Sequence, residues 1–179
     1  MSAAQVVELR ELARSARSLA DRLASLIETG PTGRVPIALP GGIARDSQRA
    51  TEHLLRTRGA LVLVDGYNVA KLAWPADELA RQRERCLDLV DDIARRYGSD
   101  ITVVFDGADV VGEHATRRRM SRVVYSPPSV IADDVIRAEV QAAPPGRPVI
   151  VVTNDQAVRR DVAAAGGNWV TSEAFVAAR

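Results

Sequence analysis

Leu61-Val62-Leu63-Val64-Asp65-Gly66-Tyr67-Asn68 is an unbroken apolar run that stops at an acidic residue and a glycine. A short apolar run closed by a turn signal reads as a strand buried on both faces. The pattern returns at Ile101-Thr102-Val103-Val104-Phe105-Asp106-Gly107 and at Val149-Ile150-Val151-Val152-Thr153-Asn154-Asp155. Stretches of helical periodicity separate these runs, which implies α/β architecture: a mostly parallel central sheet covered by helices on both faces. In such a sheet the residues just past the carboxyl ends of the strands converge on one crevice. Asp65, Asp106 and Asp155 all occupy that kind of position.

Working outward, strand 60–65 precedes a helix of about 76–97 that Gly98 ends. Strand 101–105 leads into a polar loop, 107–118, and a strand of about 119–126 runs up to Pro127-Pro128. A helix of about 130–142, strand 148–153 and helix 155–165 follow, then a short strand around Trp169-Val170 and a helix from Ser172. The domain spans 46–179 and opens with a short helix, capped by Asp46, that runs to about Arg56. Residues 29–45 are rich in Gly and Pro and read as a linker. Residues 1–28 read as an amphipathic helix, with Val6, Leu9, Ala13, Ala16, Ala20, Leu23 and Ile27 at coiled-coil spacing. That seam serves either self-association into a homo-oligomer or docking on the domain's flank.

Composition excludes several classes. Lys and Arg total 24 against 23 Asp and Glu, so the net charge of +1 names no partner. Lys71 is the only lysine; the arginine skew suits bidentate phosphate contacts, but genomic base composition is the better explanation. Cys86 is the only cysteine, which excludes a disulfide within the chain and a cysteine zinc site. No apolar run approaches the ~20 residues of a membrane span, and the N-terminus lacks a signal-peptide core. A cytoplasmic protein without membrane contact is the expectation.

The acids carry the chemistry. Asp133-Asp134 opens a helix and joins Asp65, Asp106 and Asp155 as a fourth acidic cluster. Each has a plain structural reading alone, as an Asp-Gly turn or a helix cap. Four such coincidences are less probable than one shared site. Gathered carboxylates repel one another unless a cation lies between them. With amide and hydroxyl neighbours in Asn68, Thr153 and Asn154, and no histidine or thiol, the set favours Mg²⁺ or Mn²⁺ over Zn²⁺. Such an ion activates water and clamps a phosphodiester. Arg117, Arg118, Arg119 and Arg122 form the densest cationic patch and suit phosphate contacts. Tyr67 and Trp74 could stack on a base, and His114 lies in the loop after Asp106.

Val64-Asp65-Gly66-Tyr67-Asn68-Val69, Phe105-Asp106-Gly107, Ala132-Asp133-Asp134 and Thr153-Asn154-Asp155 resemble the NYN domain family. The likeness is to its YacP-like branch, within the PIN-like nuclease superfamily, from about Leu61 to Phe175. The resemblance implies a three-layer α/β/α fold and a metal-dependent ribonuclease. It makes Asp65 the first metal ligand with Asn68 in support, Asp106 the second-strand acid, Asp133 the helix acid and Asp155 the last-strand acid. Asp134 would be auxiliary. Ile131 departs from the pattern, which usually has Ser or Thr there. Some YacP-like relatives act on messenger RNA at the ribosome, so RNA and the ribosome are the partners implied.

The leading expectation is a Mg²⁺/Mn²⁺-dependent endoribonuclease that hydrolyses single-stranded RNA with a metal-activated water at Asp65, Asp106, Asp133 and Asp155. The alternative is a non-catalytic RNA-binding or adaptor protein on the same PIN-like fold, associated with the ribosome. A haloacid-dehalogenase-like phosphatase would want Asp where Tyr67 stands, and a dinucleotide site would want a Gly-x-Gly-x-x-Gly turn, which is absent.

Overall fold

Val62, Leu63 and Val64 expose none of their surface, as a run apolar on both faces requires. They form the centre of β1 (Leu61–Asp65) in the computed structural model. It describes residues 33–107, 115–118, 120–127 and 129–179, with only the backbone of 115–117. The expected N-terminal helix with its self-association, and His114 and Arg119, lie outside the described residues.

The remaining elements are α1 (Gln48–Leu55), α2 (Gly66–Ala73), α3 (Leu79–Tyr97), β2 (Asp100–Phe105), β3 (Ala115–Arg117) and β4 (Ser121–Tyr125). After them come α4 (Ala132–Ala142), β5 (Val149–Val152), α5 (Gln156–Ala164), β6 (Asn168–Val170) and α6 (Ser172–Ala177). The strands lie in the order β3-β4-β2-β1-β5-β6. All pairings are parallel except β3 with β4. The three-layer, mostly parallel α/β/α fold is therefore present.

Alternation along β1 shows how the layers are filled. Val62 and Val64 pack into one core with Val69, Ile93, Phe105 and Phe175, which α2, α3, α6 and β2 contribute. Leu61 and Leu63 point the other way, into a second core with Ile136, Val140, Val158 and Val162 of α4 and α5. Side chains of successive strand residues take opposite faces. Each such side chain, fully buried, stabilises by about 1.5–3 kcal/mol.

Four local expectations need correction. An eight-residue helix, α2, begins directly after β1. Glycine at its first position and its two-turn length hide it from periodicity, and Trp74-Pro75 ends it. The expected loop 107–118 contains β3, an antiparallel edge strand. The cap of α1 is Ser47, whose Oγ accepts the Ala50 N–H at 3.2 Å, rather than Asp46. From Arg34 onward the Gly/Pro-rich stretch is docked on the domain. The Arg34 guanidinium donates to the carbonyls of Val140, Ala143, Arg147 and Ala165, and the Ile37 backbone pairs with the Asn168 side chain. Among the described residues no helix is long and apolar enough to cross a membrane.

Candidate active site

Parallel pairing brings the carboxyl ends of β1, β2, β4 and β5 to one edge of the sheet, and the acids meet there. Asp65 ends β1 and caps α2: one carboxylate oxygen accepts the Asn68 N–H at 3.1 Å, the other the Thr153 hydroxyl at 3.4 Å. It is 8% exposed. Burial pushes its pKa up to about 6. The Asn68 amide opposes that rise and the Asp133 charge adds to it. Asp106 follows β2 and accepts a hydrogen bond from Ser126 Oγ at 3.1 Å. Asp133 stands in the first turn of α4, half-buried. Its pKa is raised by burial first, then by the charges of Asp155, Asp134 and Asp106, with Arg137 opposing. These three acids line a cleft of about 600 Å³ together with Tyr67, Asn68, Lys71, Leu72, Ile131, Ala132 and Asn154.

Both glycines of the Asp-Gly pairs are needed for space. Neither has a positive φ, so the turns use their lack of a side chain and not a left-handed backbone. A Cβ on Gly66 would stand 2.4 Å from the Phe105 ring, and one on Gly107 would stand 1.9 Å from the Ser126 carbonyl oxygen. The Gly107 N–H donates to Ser126 Oγ at 3.0 Å. That bond turns the serine hydroxyl proton toward Asp106.

Around the acids runs a second network. Asn68 Oδ1 accepts the Asn154 N–H at 3.3 Å and the Ser172 hydroxyl at 2.9 Å. A backbone N–H can only donate, so the Asn68 oxygen is fixed in that direction. Its NH₂ group has no hydrogen-bond partner among the described residues. Asn154 Oδ1 accepts from Arg159 and the Ser172 N–H, and its amide donates to Glu173. Asp155 does not line the cleft. It caps α5, accepting the Ala157 and Val158 N–H groups at 2.7 and 2.9 Å. The Val158 bond foremost holds its carboxyl below the ordinary range.

Other expected members fall elsewhere. Asp134 pairs with Arg137 at 2.9 Å and lines a separate hollow with Pro127 and Val130. Successive helical residues point about 100° apart, so it turns away from the cleft that Asp133 faces. The described members of the arginine patch lie at the wrong end of the sheet. Phe105 pairs with Tyr125 at the acidic edge, whereas Thr102 and Arg117 pair with Arg122. Three strand steps put Arg122 roughly 10 Å from that edge. Arg118 is held by Asp88 and Asp91, and Arg122 by Glu139. Tyr67 is no open stacking platform. Its ring is buried edge-to-face against Phe105 at 5.1 Å, and its hydroxyl accepts from Arg83. Trp74 is covered by Arg85 at 4.9 Å.

Sequence reasoning missed Ser126, Ser172, Lys71 and Leu72. Asn68, Lys71 and Leu72 fall at i, i+3 and i+4 of α2 and so share a face, but that signal needs the helix to be known. Ser126 follows β4 as Asp106 follows β2, and that positional parallel was available.

Among the described residues no group of three or more acidic, histidine or cysteine side chains is placed to hold a metal ion together. The oxygen donors that line the cleft instead fit an open site with few direct protein ligands. Mg²⁺ is held in that manner, through one or two carboxylates with most of its waters kept.

The family model for the YacP-like NYN domain matches residues 62–178. No curated protein matches the chain. The solved structure of Rae1 (YacP) from Bacillus subtilis is similar with a TM-score of 0.56 and 23% identity, over 65% of this chain and 71% of that one. A tryptophan-to-leucine variant of Rae1 gives a TM-score of 0.56 and 22% identity over 66% and 73%. At these identities the likeness is one of fold.

Proposed function

The chain belongs to the YacP-like NYN domain family, whose fold is of the PIN-like nuclease type, and from that premise we propose that it is an endoribonuclease. Its substrate in this reading is single-stranded RNA, hydrolysed to leave a 5′-phosphate and a 3′-hydroxyl. The observation that carries the proposal is the convergence of Asp65, Asp106 and Asp133, from three separate elements, on one cleft.

Mg²⁺ or Mn²⁺ would lie among Asp65, Asp106 and Asp133, with one or two of these carboxylates as direct ligands and the rest acting through bound water. Bound there, such an ion would supply a lowered pKa for a nearby water and stabilisation of charge on the phosphate. The chain's own part is positioning. Thr153 and the Asn68 N–H fix the two oxygens of Asp65, and Ser126 fixes one oxygen of Asp106. The Asn68 NH₂ group supplies a hydrogen-bond donor to an anionic oxygen. Asp155 contributes charge at a remove, through its effect on Asp133.

Labelled RNA incubated with Mn²⁺ and either the wild type or Asp65→Asn tests this. Cleavage by the wild type and none by the variant is expected. An inactive wild type that binds a panel of RNAs, with affinity unchanged by the substitution, would instead establish the non-catalytic adaptor.

A further inference from the structure

Ile131 breaks two local rules at once. It occupies the cap position of α4, with extended backbone (φ −79, ψ 154), yet makes no side-chain cap bond. Ser, Thr, Asp or Asn would satisfy a first-turn N–H there. Its side chain is also 54% exposed. Residues that violate local preference without structural gain mark functional positions. Leu72, 40% exposed, is a second apolar side chain left open. Five large hydrophobics are exposed among the described residues, and only these two line the acidic cleft. They reach it from opposite layers of the fold, Leu72 from α2 and Ile131 from α4.

Lys71 lies beside them. It lines the same cleft as three carboxylates, yet makes no ion pair among the described residues. Its ammonium rests 5.4 Å from the centre of the Tyr67 ring, a cation–π contact that keeps it local. With the unpartnered NH₂ group of Asn68 one turn earlier, α2 presents two donors suited to a phosphate.

An unpaired nucleotide has this same division, a base whose flat faces are poorly hydrated joined to an anion. We propose that Leu72 and Ile131 form a nucleobase subsite at the mouth of the acidic cleft, with Lys71 and the Asn68 amide holding the adjoining phosphate. The inference rests on the cleft being an RNA site. It adds that one base of the substrate must be unstacked and unpaired, which excludes duplex RNA.

Binding of the full chain is measured by fluorescence anisotropy with two probes, a labelled oligouridylate and an abasic ribose-phosphate oligomer of equal length. Ca²⁺ is the only divalent ion, and gels verify that the probes stay intact. The wild type is expected to prefer the base-containing probe by about tenfold, from the apolar surface that the base and the two aliphatic side chains together remove from water. Ile131→Ser and Leu72→Ser should each erase most of that preference and leave affinity for the abasic probe unchanged. Ile131→Ser should at the same time raise the Tm, because serine caps the helix, so its lost binding is not lost folding. Lys71→Gln should weaken both probes alike and flatten the salt dependence by roughly one phosphate contact. Equal binding of the two probes by the wild type, or a preference that survives in the Leu72→Ser/Ile131→Ser double variant, overturns the subsite. Base preference without Mn²⁺-dependent cleavage would remove the nuclease reading and keep the subsite. Cleavage without base preference would do the reverse.

Discussion

Asp65→Asn should make the folded chain more stable above pH 6 while sharply weakening its response to divalent cations. Burial raises the folded-state pKa of Asp65 from an ordinary 3.8 to about 6. The folded chain therefore holds that proton more tightly than the unfolded chain does. The associated stability is fully present below pH 3.8 and is lost as pH rises through 6. At 1.36 kcal/mol for each decade, the whole loss amounts to about 3 kcal/mol by pH 7.5. Asparagine has no charge to desolvate, and its amide oxygen still accepts the Asn68 N–H that caps α2.

Urea unfolding of both proteins in EDTA, at intervals from pH 4.5 to 8, measures the difference. The variant's advantage should grow across that range toward about 3 kcal/mol. Adding Mn²⁺ at 100 times its Kd should return about 2.7 kcal/mol to the wild type and much less to the variant. An advantage that stays flat with pH, or a variant less stable than wild type at pH 7.5 in EDTA, would refute the reasoning. Asp65 would then be an ordinary, compensated helix cap.

Gly107→Ala should destabilise the fold by about 1–3 kcal/mol and lower activity, because its Cβ meets the Ser126 backbone and displaces Asp106; chemical denaturation and a cleavage assay measure the two effects. Cys86 exposes no surface, and burial pushes its thiol up to about 12. It should resist thiol reagents at pH 8 until the chain unfolds, so its labelling rate reports global opening. Asp134→Asn should leave cleavage within about twofold and cost at most about 1 kcal/mol, the usual upper value for an exposed ion pair; Asp133→Asn should abolish cleavage. Arg118→Ala with Arg122→Ala should lower the Tm slightly and leave RNA affinity unchanged, as anisotropy at two salt concentrations would show.

The strand ends were legible because a strand buried on both faces must be continuously apolar, and the acids that close such runs stand out. Side-chain direction was harder to read. Asp133 and Asp134 are equivalent in sequence until the buried stripe of α4 is known. Ile136 and Val140 define that stripe, and Asp133, three residues before Ile136, lies along it. The arginine patch misled because charge density says nothing about which end of a strand it occupies. Arg122 is placed by the register of β4 beside β2 and Arg117 by β3 running antiparallel to β4, and β3 is too short for a periodic signal. The helix α2 carried the largest cost, since Lys71 and Leu72 could not be assigned to the cleft without it.

Asp65 and Asp155 look alike in sequence, for each follows an apolar run and caps the next helix. Their bonding separates them. Asp155 receives two N–H groups on one oxygen, which favours its charged form. Asp65 receives one, and burial outweighs it. The two are joined through Thr153, whose hydroxyl oxygen accepts the Asp155 N–H and therefore directs its proton to Asp65. The charge that capping maintains on Asp155 in turn raises the proton affinity of Asp133 across the sheet edge. Capping a helix and serving the site are therefore not competing roles for Asp155. The cap bonds keep it anionic, and as an anion it adds to the negative potential that would draw a cation to Asp65, Asp106 and Asp133.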